Sequence, residues 1–172
     1  MDLRTRCVGC IDKRGHVHPE ANALASMFMA ESDKPAGNVD NAALDFLLAE
    51  AQEIAARSYS PYSGFKVGAA LRLSNGEVVT GTNVESTSYS LTICAERAAL
   101  AQAVSRFGPG IRVVAIAVAN RNGAASAPCG ACRQMLAEFA AAETPVAFPA
   151  EDGIRILTLG KLLPEAFRLE TK

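Results

Sequence analysis

The sequence has no apolar run long enough to cross a lipid bilayer. The one apolar stretch near its N-terminus, residues 24–30, is far shorter than the ~20 residues that a transmembrane helix needs. The flanks of this stretch also lack the layout of a signal peptide. We therefore expect no membrane partner.

A strong net charge is missing as well. The chain has 17 lysine and arginine residues against 18 aspartate and glutamate residues, which leaves a formal charge of −1 at pH 7. Proteins that bind a nucleic-acid backbone concentrate positive charge against its phosphates. The balance therefore argues against a nucleic-acid polymer as partner and favours a small molecule.

The cysteines do not suggest a disulfide framework. There are five of them, an odd number, and three are spaced like metal ligands. Because reduced cysteines are typical of the cytoplasm, we expect a cytoplasmic protein.

The length of 172 residues, with 49% apolar residues, suits one globular domain. Residues 1–38 mix charges, histidines and prolines, and are predicted to be a flexible N-terminal extension of a domain at residues 39–172. Within this extension, Cys7, Cys10, His16 and His18 could bind a second metal ion. A lone Cys-x-x-Cys pair is a weak indication, so a loosely packed tail is the better interpretation.

Two short stretches have the features of a catalytic zinc site: Cys94-Ala95-Glu96-Arg97 and Pro128-Cys129-Gly130-Ala131-Cys132. Catalytic zinc takes three protein ligands and keeps a fourth tetrahedral position for water, whose pKa it lowers. Cys129 and Cys132 are three residues apart, so at a helix start both sulfurs can reach one ion, with Cys94 as the third ligand. Glu96, two residues after Cys94, suits a general acid and base better than a fourth ligand.

Three thiolates more than cancel the charge of a zinc ion, which would weaken it as a Lewis acid. Two helix N-termini, each carrying roughly half a positive charge, would offset this excess. Arg97 follows Cys94 by three residues and lies on the same helical face, so we expect its guanidinium to donate to the sulfurs.

The paired motifs resemble those of the zinc-dependent cytidine deaminases, in which His or Cys precedes Ala-Glu and Pro-Cys-x-x-Cys follows. The similar stretches are SPYSGFKVGAAL (60–71), NVESTSY (83–89), ICAERAAL (93–100), PCGACRQML (128–136) and LLPEAF (162–167). The Cys-Ala-Glu form is similar to the small homotetrameric subgroup. The resemblance, over residues 40–167, implies a zinc cofactor, a homotetramer and hydrolytic deamination of cytidine and deoxycytidine to uridine and deoxyuridine.

The resemblance also implies roles for individual residues. Glu96 would carry a proton from zinc-bound water to ring N3 and then to the leaving ammonia. Asn83 and Glu85 match residues that hydrogen-bond the sugar 3′-hydroxyl. Phe65 and Phe167 match aromatic residues that line the base and sugar pocket.

Three further positions bear on the resemblance. Tyr89 is similar to a residue that reaches the pocket of a neighbouring subunit, although a local core or surface role is nearly as good an interpretation. Ser86 stands where the family often has Asn, and Ala127 replaces the usual Ser or Thr. In the family, the residue at position 127 contributes its backbone carbonyl, so we expect Ala127 to have only a mild effect.

Hydrophobic periodicity predicts helices and strands in a mixed order. The predicted helices span residues 40–55, 93–106 and 128–142, and the strands span 65–73, 77–82, 111–119, 146–148 and 154–157. The dipeptide Asn75-Gly76 predicts a hairpin between the first two strands. A short helix is expected from residue 161.

The last two strands are joined by only five residues, which is too few for a parallel crossover, so they must be antiparallel neighbours. The predicted fold class is α/β: a three-layer α/β/α, cytidine-deaminase-like fold on a mixed five-stranded sheet. Both metal-binding helices are expected on one face of that sheet.

Two functional alternatives stay open. One is a deaminase of another aminopyrimidine nucleoside, such as blasticidin S or a modified cytidine, although Asn83 and Glu85 favour an unelaborated sugar. The other is a non-catalytic, zinc-stabilised binding protein, for which Glu96 would be unnecessary. The three motif cysteines could also be inert core residues, but their shared position at helix starts argues against this.

Overall fold

The computed structural model describes residues 40–168. The predicted N-terminal extension, with Cys7, Cys10, His16 and His18, lies outside the described residues. Among the described residues, no helix is long and apolar enough to span a bilayer.

Five strands form one mixed sheet in the order β2-β1-β3-β4-β5. The strands are β1 (Val67–Leu73), β2 (Val78–Thr82), β3 (Val113–Asn120), β4 (Pro145–Ala150) and β5 (Gly153–Thr158). Strand β1 is antiparallel to β2 and β3, β3 is parallel to β4, and β4 is antiparallel to β5. The predicted mixed sheet, with its last two strands antiparallel, is confirmed.

Helices cover both faces of the sheet, which gives the predicted three layers. The helices are α1 (Asn41–Ile54), α2 (Ala95–Phe107), α3 (Gly130–Leu136) and α4 (Leu159–Leu162). Helix α1 starts at Asp40, whose Oδ1 accepts a hydrogen bond of 2.8 Å from the N–H of Ala43. Its buried face packs against one side of the sheet, whereas α2 and α3 share the larger core on the other side.

The face under α1 is lined by small side chains, so the helix lies close to the strands. The buried sheet residues there are Ala70, Ala115, Ala117, Ala119 and Ala147. Gly68 completes the close approach, because a Cβ at that position would lie 2.0 Å from the carbonyl oxygen of Ala51. The alanine-rich strands therefore set the spacing between helix and sheet.

On the opposite face, Gly81 of β2 sets the position of α2. A Cβ at Gly81 would lie 2.3 Å from the backbone nitrogen of Ala99 and 2.7 Å from the carbonyl oxygen of Ala95. Real Cβ atoms do not approach backbone that closely, so only glycine permits this contact. The contact fixes the first turns of α2, which carry Glu96.

The hairpin predicted between the first two strands is present. Gly76 has a φ of +89°, and its N–H donates to the carbonyl oxygen of Leu73 over 2.9 Å. The N–H of Leu73 in turn donates to the carbonyl oxygen of Glu77. The dipeptide Asn75-Gly76 therefore forms the turn, as turn chemistry requires.

Most predicted boundaries differ from the structure by one or two residues, and two of the differences have an identifiable cause. Helix α3 ends at Leu136 instead of continuing to about residue 142. After that point the N–H of Phe139 bonds Leu136 in a tighter turn, and the carbonyl oxygen of Phe139 accepts from the N–H of Val113 over 2.8 Å. The backbone at Phe139, which helical periodicity alone assigns to α3, thus pairs with the sheet instead.

The second of these differences concerns the last hairpin. Strands β4 and β5 run to Ala150 and from Gly153, so their connection is two residues long instead of five. Strand β5 is an edge strand, and its Ile154 and Ile156 are about half exposed. Both strands are longer than predicted, because Pro149 and the polar residues after it are typical of a loop.

Candidate active site

A cavity of about 360 Å³ opens where the N-termini of α2 and α3 meet the sheet. Its walls include Phe65, Asn83, Glu85, Cys94, Glu96 and Cys129. These residues come from separate parts of the chain, and the sheet brings them together. Most of the residues predicted from the motifs therefore share one site.

Cys94 and Cys129 line this cavity, and the sulfur of Cys132 lies close to theirs. Cys94 is the N-cap of α2, Cys129 is the N-cap of α3, and Cys132 is buried in the first turn of α3. The Sγ of Cys129 lies 3.9 Å from that of Cys94 and 3.5 Å from that of Cys132. All three ligand atoms lie within 4.8 Å of one another.

This spacing fits a zinc ion. Tetrahedral zinc with Zn–S bonds of about 2.3 Å holds its sulfurs about 3.8 Å apart. Two of the three Sγ–Sγ distances, 3.5 and 3.9 Å, bracket that value. Soft thiolate ligands in a tetrahedral arrangement favour zinc over magnesium or calcium.

The electrostatics of the sulfur cluster favour ionisation of Cys94 and oppose ionisation of Cys132. The hydrogen bond from Cys132, with the nearby guanidinium of Arg97, lowers the pKa of Cys94 to about 5. The same bond raises the pKa of Cys132, so Cys94 loses its proton first. Arg97 Nη2 lies 3.8 Å from the Sγ of Cys94 and donates to the carbonyl oxygen of Thr92 over 3.0 Å. Arg97 thus lies where a thiolate partner is expected.

Glu96 is a buried carboxyl group beside the sulfurs. It is 4% exposed and lines the cavity from the first turn of α2. Burial raises the pKa of Glu96, and the negative charge of Cys94 adds to the increase. A carboxyl group with a raised pKa can both accept and return a proton near neutral pH.

Asn83 lines the cavity with most of its hydrogen-bonding capacity in use. Its Oδ1 accepts from the hydroxyl of Ser58 over 2.5 Å and from the N–H of Val67 over 2.9 Å. Its Nδ2 donates to the carbonyl oxygen of Phe65 over 2.8 Å. A carboxamide has two lone pairs and two N–H groups, so one N–H is left for a ligand.

Glu85 has the complementary polarity. Its carboxylate accepts from the N–H of Tyr62 over 2.9 Å and from both the N–H and the hydroxyl of Ser63. The hydroxyl of Ser63 is the main reason that the pKa of Glu85 lies below its ordinary value. An ionised carboxylate has about four acceptor positions, so one remains free.

The predicted aromatic residues are distributed unevenly. Phe65 and Tyr89 line the cavity, Tyr89 with 72% of its surface exposed. Phe167 is not among the lining residues and is 69% exposed. Its backbone is held by the side chain of Gln134, which donates to its carbonyl oxygen over 2.7 Å and accepts from its N–H. The role of Phe167 at the pocket stays a prediction.

The sequence did not predict the serines that hydrogen-bond Asn83 and Glu85, the polar wall of the cavity. Ser58 and Ser63 bond Asn83 and Glu85 across 25 and 22 residues of sequence. Ser126 lines the cavity beside Ala127, and its Oγ accepts from Asn120 Nδ2 over 2.8 Å. A lone serine in a polar loop carries no signal of such long-range partners, whereas the SPYSGF motif at least marks the neighbourhood of Ser63.

Three sulfurs spaced for zinc, with a buried carboxyl group in the adjoining cavity wall, define a zinc-dependent enzyme. Comparison with known proteins agrees with this class. The model of the cytidine and deoxycytidylate deaminase zinc-binding region matches residues 42–148. This chain belongs to that family.

Individual relatives support the assignment along most of the domain. The cytidine deaminase of Halalkalibacterium halodurans is 47% identical over 126 residues, which are 72% of this chain and 93% of that protein. The cytidine deaminase of Mycobacterium tuberculosis is 44% identical, covering 73% of this chain and 90% of that protein.

Solved structures agree in fold. The crystal structure of cytidine deaminase from Burkholderia pseudomallei has a TM-score of 0.64 at 41% identity, and covers 72% of this chain and 98% of that one. The crystal structure of the M. tuberculosis enzyme has a TM-score of 0.64 at 42% identity, and covers 73% of this chain and 97% of that one.

Proposed function

We propose that this chain is a zinc-dependent cytidine deaminase that hydrolyses cytidine and deoxycytidine to uridine and deoxyuridine, with release of ammonia. The observation that carries the proposal is the position of Glu96, buried in a cavity wall beside three sulfurs spaced for zinc. A metal site that only stabilised the fold would need neither the cavity nor the carboxyl group.

Cys94, Cys129 and Cys132 would hold the zinc ion, which when bound makes water a nucleophile near neutral pH. Glu96 takes one proton from the attacking water and delivers it to ring N3, and then carries the second proton of that water to the amino group, which leaves as ammonia. Its buried surroundings raise its pKa, which favours holding the proton on the carboxyl group between the two transfers. Arg97 draws negative charge from the sulfur of Cys94.

The remaining walls suit a pyrimidine nucleoside. Phe65 and Val118 offer apolar surface for the base, and the backbone of Ala127 lies in the same wall for the amino group of the substrate. Ala127, which stands where the family usually has Ser or Thr, still provides a backbone carbonyl there. The base would therefore bind with its reacting edge towards Glu96.

The polar wall suits a sugar hydroxyl. Asn83 has one N–H to donate and Glu85 has one carboxylate position to accept, whereas a hydroxyl group both accepts and donates. This pair would recognise the 3′-hydroxyl, which ribose and 2′-deoxyribose share. A substrate that lacks this hydroxyl leaves buried polar groups unpaired, which costs affinity.

We also propose a homotetramer in the cytoplasm. The segment around Tyr89 supports association, because Tyr89 and Leu91 are 72% and 67% exposed beside the cavity. Tyr89 would then reach a neighbouring pocket. The three free cysteines at the site suit a reducing compartment. Light scattering of the full chain would give the oligomeric state.

A substrate panel tests the proposed function. Zinc-loaded protein should deaminate cytidine and deoxycytidine, seen as loss of cytosine absorbance together with stoichiometric ammonia. It should not turn over blasticidin S at a comparable rate. Turnover of another aminopyrimidine nucleoside without turnover of cytidine would refute the assigned substrate, and full zinc without any turnover would indicate a binding protein.

A further inference from the structure

Ser58 lies behind Asn83 of the cavity wall, two residues before the SPYSGFKVGAAL stretch (60–71). It follows α1 and a single 3₁₀ turn, and its own N–H donates to the carbonyl oxygen of Ala55 over 3.2 Å. Its hydroxyl donates to Oδ1 of Asn83 over 2.5 Å, at the short end of the range for such bonds. Ser58 therefore connects the end of a core helix to a residue of the cavity wall.

The backbone around Ser58 is fastened to the same segment. The N–H of Tyr59 donates to the carbonyl oxygen of Asn83 over 3.2 Å, and the N–H of Glu85 donates to the carbonyl oxygen of Tyr59 over 2.8 Å. These bonds hold the segment after Ser58 alongside residues 83–85. The position of the Ser58 hydroxyl is thus set by a hydrogen-bonded backbone.

The orientation of the Asn83 side chain follows from its partners. The N–H of Val67 requires an acceptor, and the carbonyl oxygen of Phe65 requires a donor, so Oδ1 and Nδ2 cannot exchange places. These two bonds still leave one lone pair on Oδ1. The hydroxyl of Ser58 occupies it, so that the carboxamide offers a ligand one N–H and no acceptor.

We propose that Ser58 is a positioning residue for the sugar: it fixes the Asn83 carboxamide so that this residue can only donate to the substrate hydroxyl. Glu85 then has to accept from that hydroxyl, so Asn83 and Glu85 together bind one hydroxyl in a single orientation. Ser58 does not touch the substrate. The inference rests on the proposed function, because it assigns the ligand of Asn83 as a nucleoside sugar.

The Ser58→Ala variant of the zinc-loaded full chain tests this inference. We expect the KM for cytidine to rise about fivefold, in line with the loss of one neutral hydrogen bond, while kcat stays within twofold. With 3′-deoxycytidine, which lacks the hydroxyl, the same variant should change KM less than twofold. The Ser58→Thr variant keeps the hydroxyl and should restore the KM for cytidine.

Ser105→Ala is the matched control, because Ser105 is exposed near the far end of α2 and should leave both constants unchanged. If Ser58→Ala does not fold, Ser58→Cys keeps the volume with a much weaker donor and should show the same pattern. An equal rise in KM for both substrates would overturn the inference, since it would indicate a general structural defect. So would an unchanged KM for cytidine.

Calorimetric binding of the product separates this inference from the proposed function. Uridine should bind Ser58→Ala about fivefold more weakly than wild type, whereas 3′-deoxyuridine should bind both proteins equally. If wild type binds uridine but does not turn over cytidine, the proposed function fails, and the uridine comparison still decides the role of Ser58. Equal weakening for both ligands overturns that role.

Discussion

The Sγ atoms of Cys94 and Cys129 lie 3.9 Å apart although 35 residues separate them in the sequence. Each residue is the N-cap of a helix, α2 in one case and α3 in the other. Strands β2 and β3 point in the same direction, and the two helices follow their carboxyl ends, which places both N-termini at the same end of the sheet. The metal site is thus a product of the sheet topology, and its integrity should depend on the fold around it.

Removal of one sulfur should couple metal loss to stability. We expect Cys129→Ala to lose stoichiometric zinc, because two thiolates do not satisfy the ion. The loss should cost about 4 kcal/mol in the free energy of unfolding at free zinc 1,000-fold above the wild-type Kd. Metal analysis and chemical denaturation measure the two effects. Met135→Ala, on an exposed position of α3, is the control; full zinc in Cys129→Ala would contradict the assignment.

Loss of the guanidinium beside Cys94 should weaken zinc binding without abolishing it. Arg97→Ala removes the charge that helps to lower the pKa of Cys94, so the thiolate binds zinc less readily near neutral pH. We expect a 10- to 100-fold decrease in zinc affinity, the usual effect of removing a partner of a ligand. Competition with a chelator measures it. Arg106→Ala removes an exposed arginine of the same helix, and an equal effect there would rule out a local cause.

A methyl group between β2 and α2 should displace the catalytic helix. Gly81→Ala places a Cβ 2.3 Å from backbone of α2, so we expect destabilisation by about 1–3 kcal/mol or more and a decrease in kcat. Thermal unfolding and steady-state kinetics measure both. Gly110→Ala, where a Cβ would meet no atom within 4 Å, should be close to neutral. Wild-type stability in Gly81→Ala would refute the proposed close approach.

Glu85 should contribute to stability in a pH-dependent way. Its pKa in the folded chain lies below the ordinary value of 4.5, chiefly because of the Ser63 hydroxyl, so its ionised form is favoured by folding. The stabilisation is present above pH 4.5 and is lost as the pH falls through the folded-state pKa. Glu85→Gln should therefore be less stable than wild type at pH 7, and the difference should shrink at acid pH. A difference that grows on acidification would contradict this.

The sequence predicted those parts of the molecule that follow from local chemistry. The hairpin at Asn75-Gly76 and the three cysteine positions follow from residue type and spacing. The antiparallel final strands followed from the length of their connection. Each of these inferences needs only a few neighbouring residues.

Features that depend on tertiary contacts could not be predicted. Helix α3 stops early because the carbonyl oxygen of Phe139 bonds Val113 in the sheet, a partner far away in sequence. The hydrogen bond from Ser58 to Asn83 also joins residues that lie far apart in the sequence. Phe167 lies away from the cavity lining, and its position is set by Gln134 of another element. Local pattern carries no information about such pairs.

The Glu96→Gln variant shows whether Glu96 moves protons beside a zinc ion held by three cysteines. Glutamine keeps the shape of the side chain but cannot carry the proton. Zinc content and cytidine turnover, measured on the same preparation, should give one zinc per chain, a folded protein and a kcat about 10²- to 10⁴-fold below wild type. A zinc-replete variant that deaminates cytidine at the wild-type rate would contradict the account.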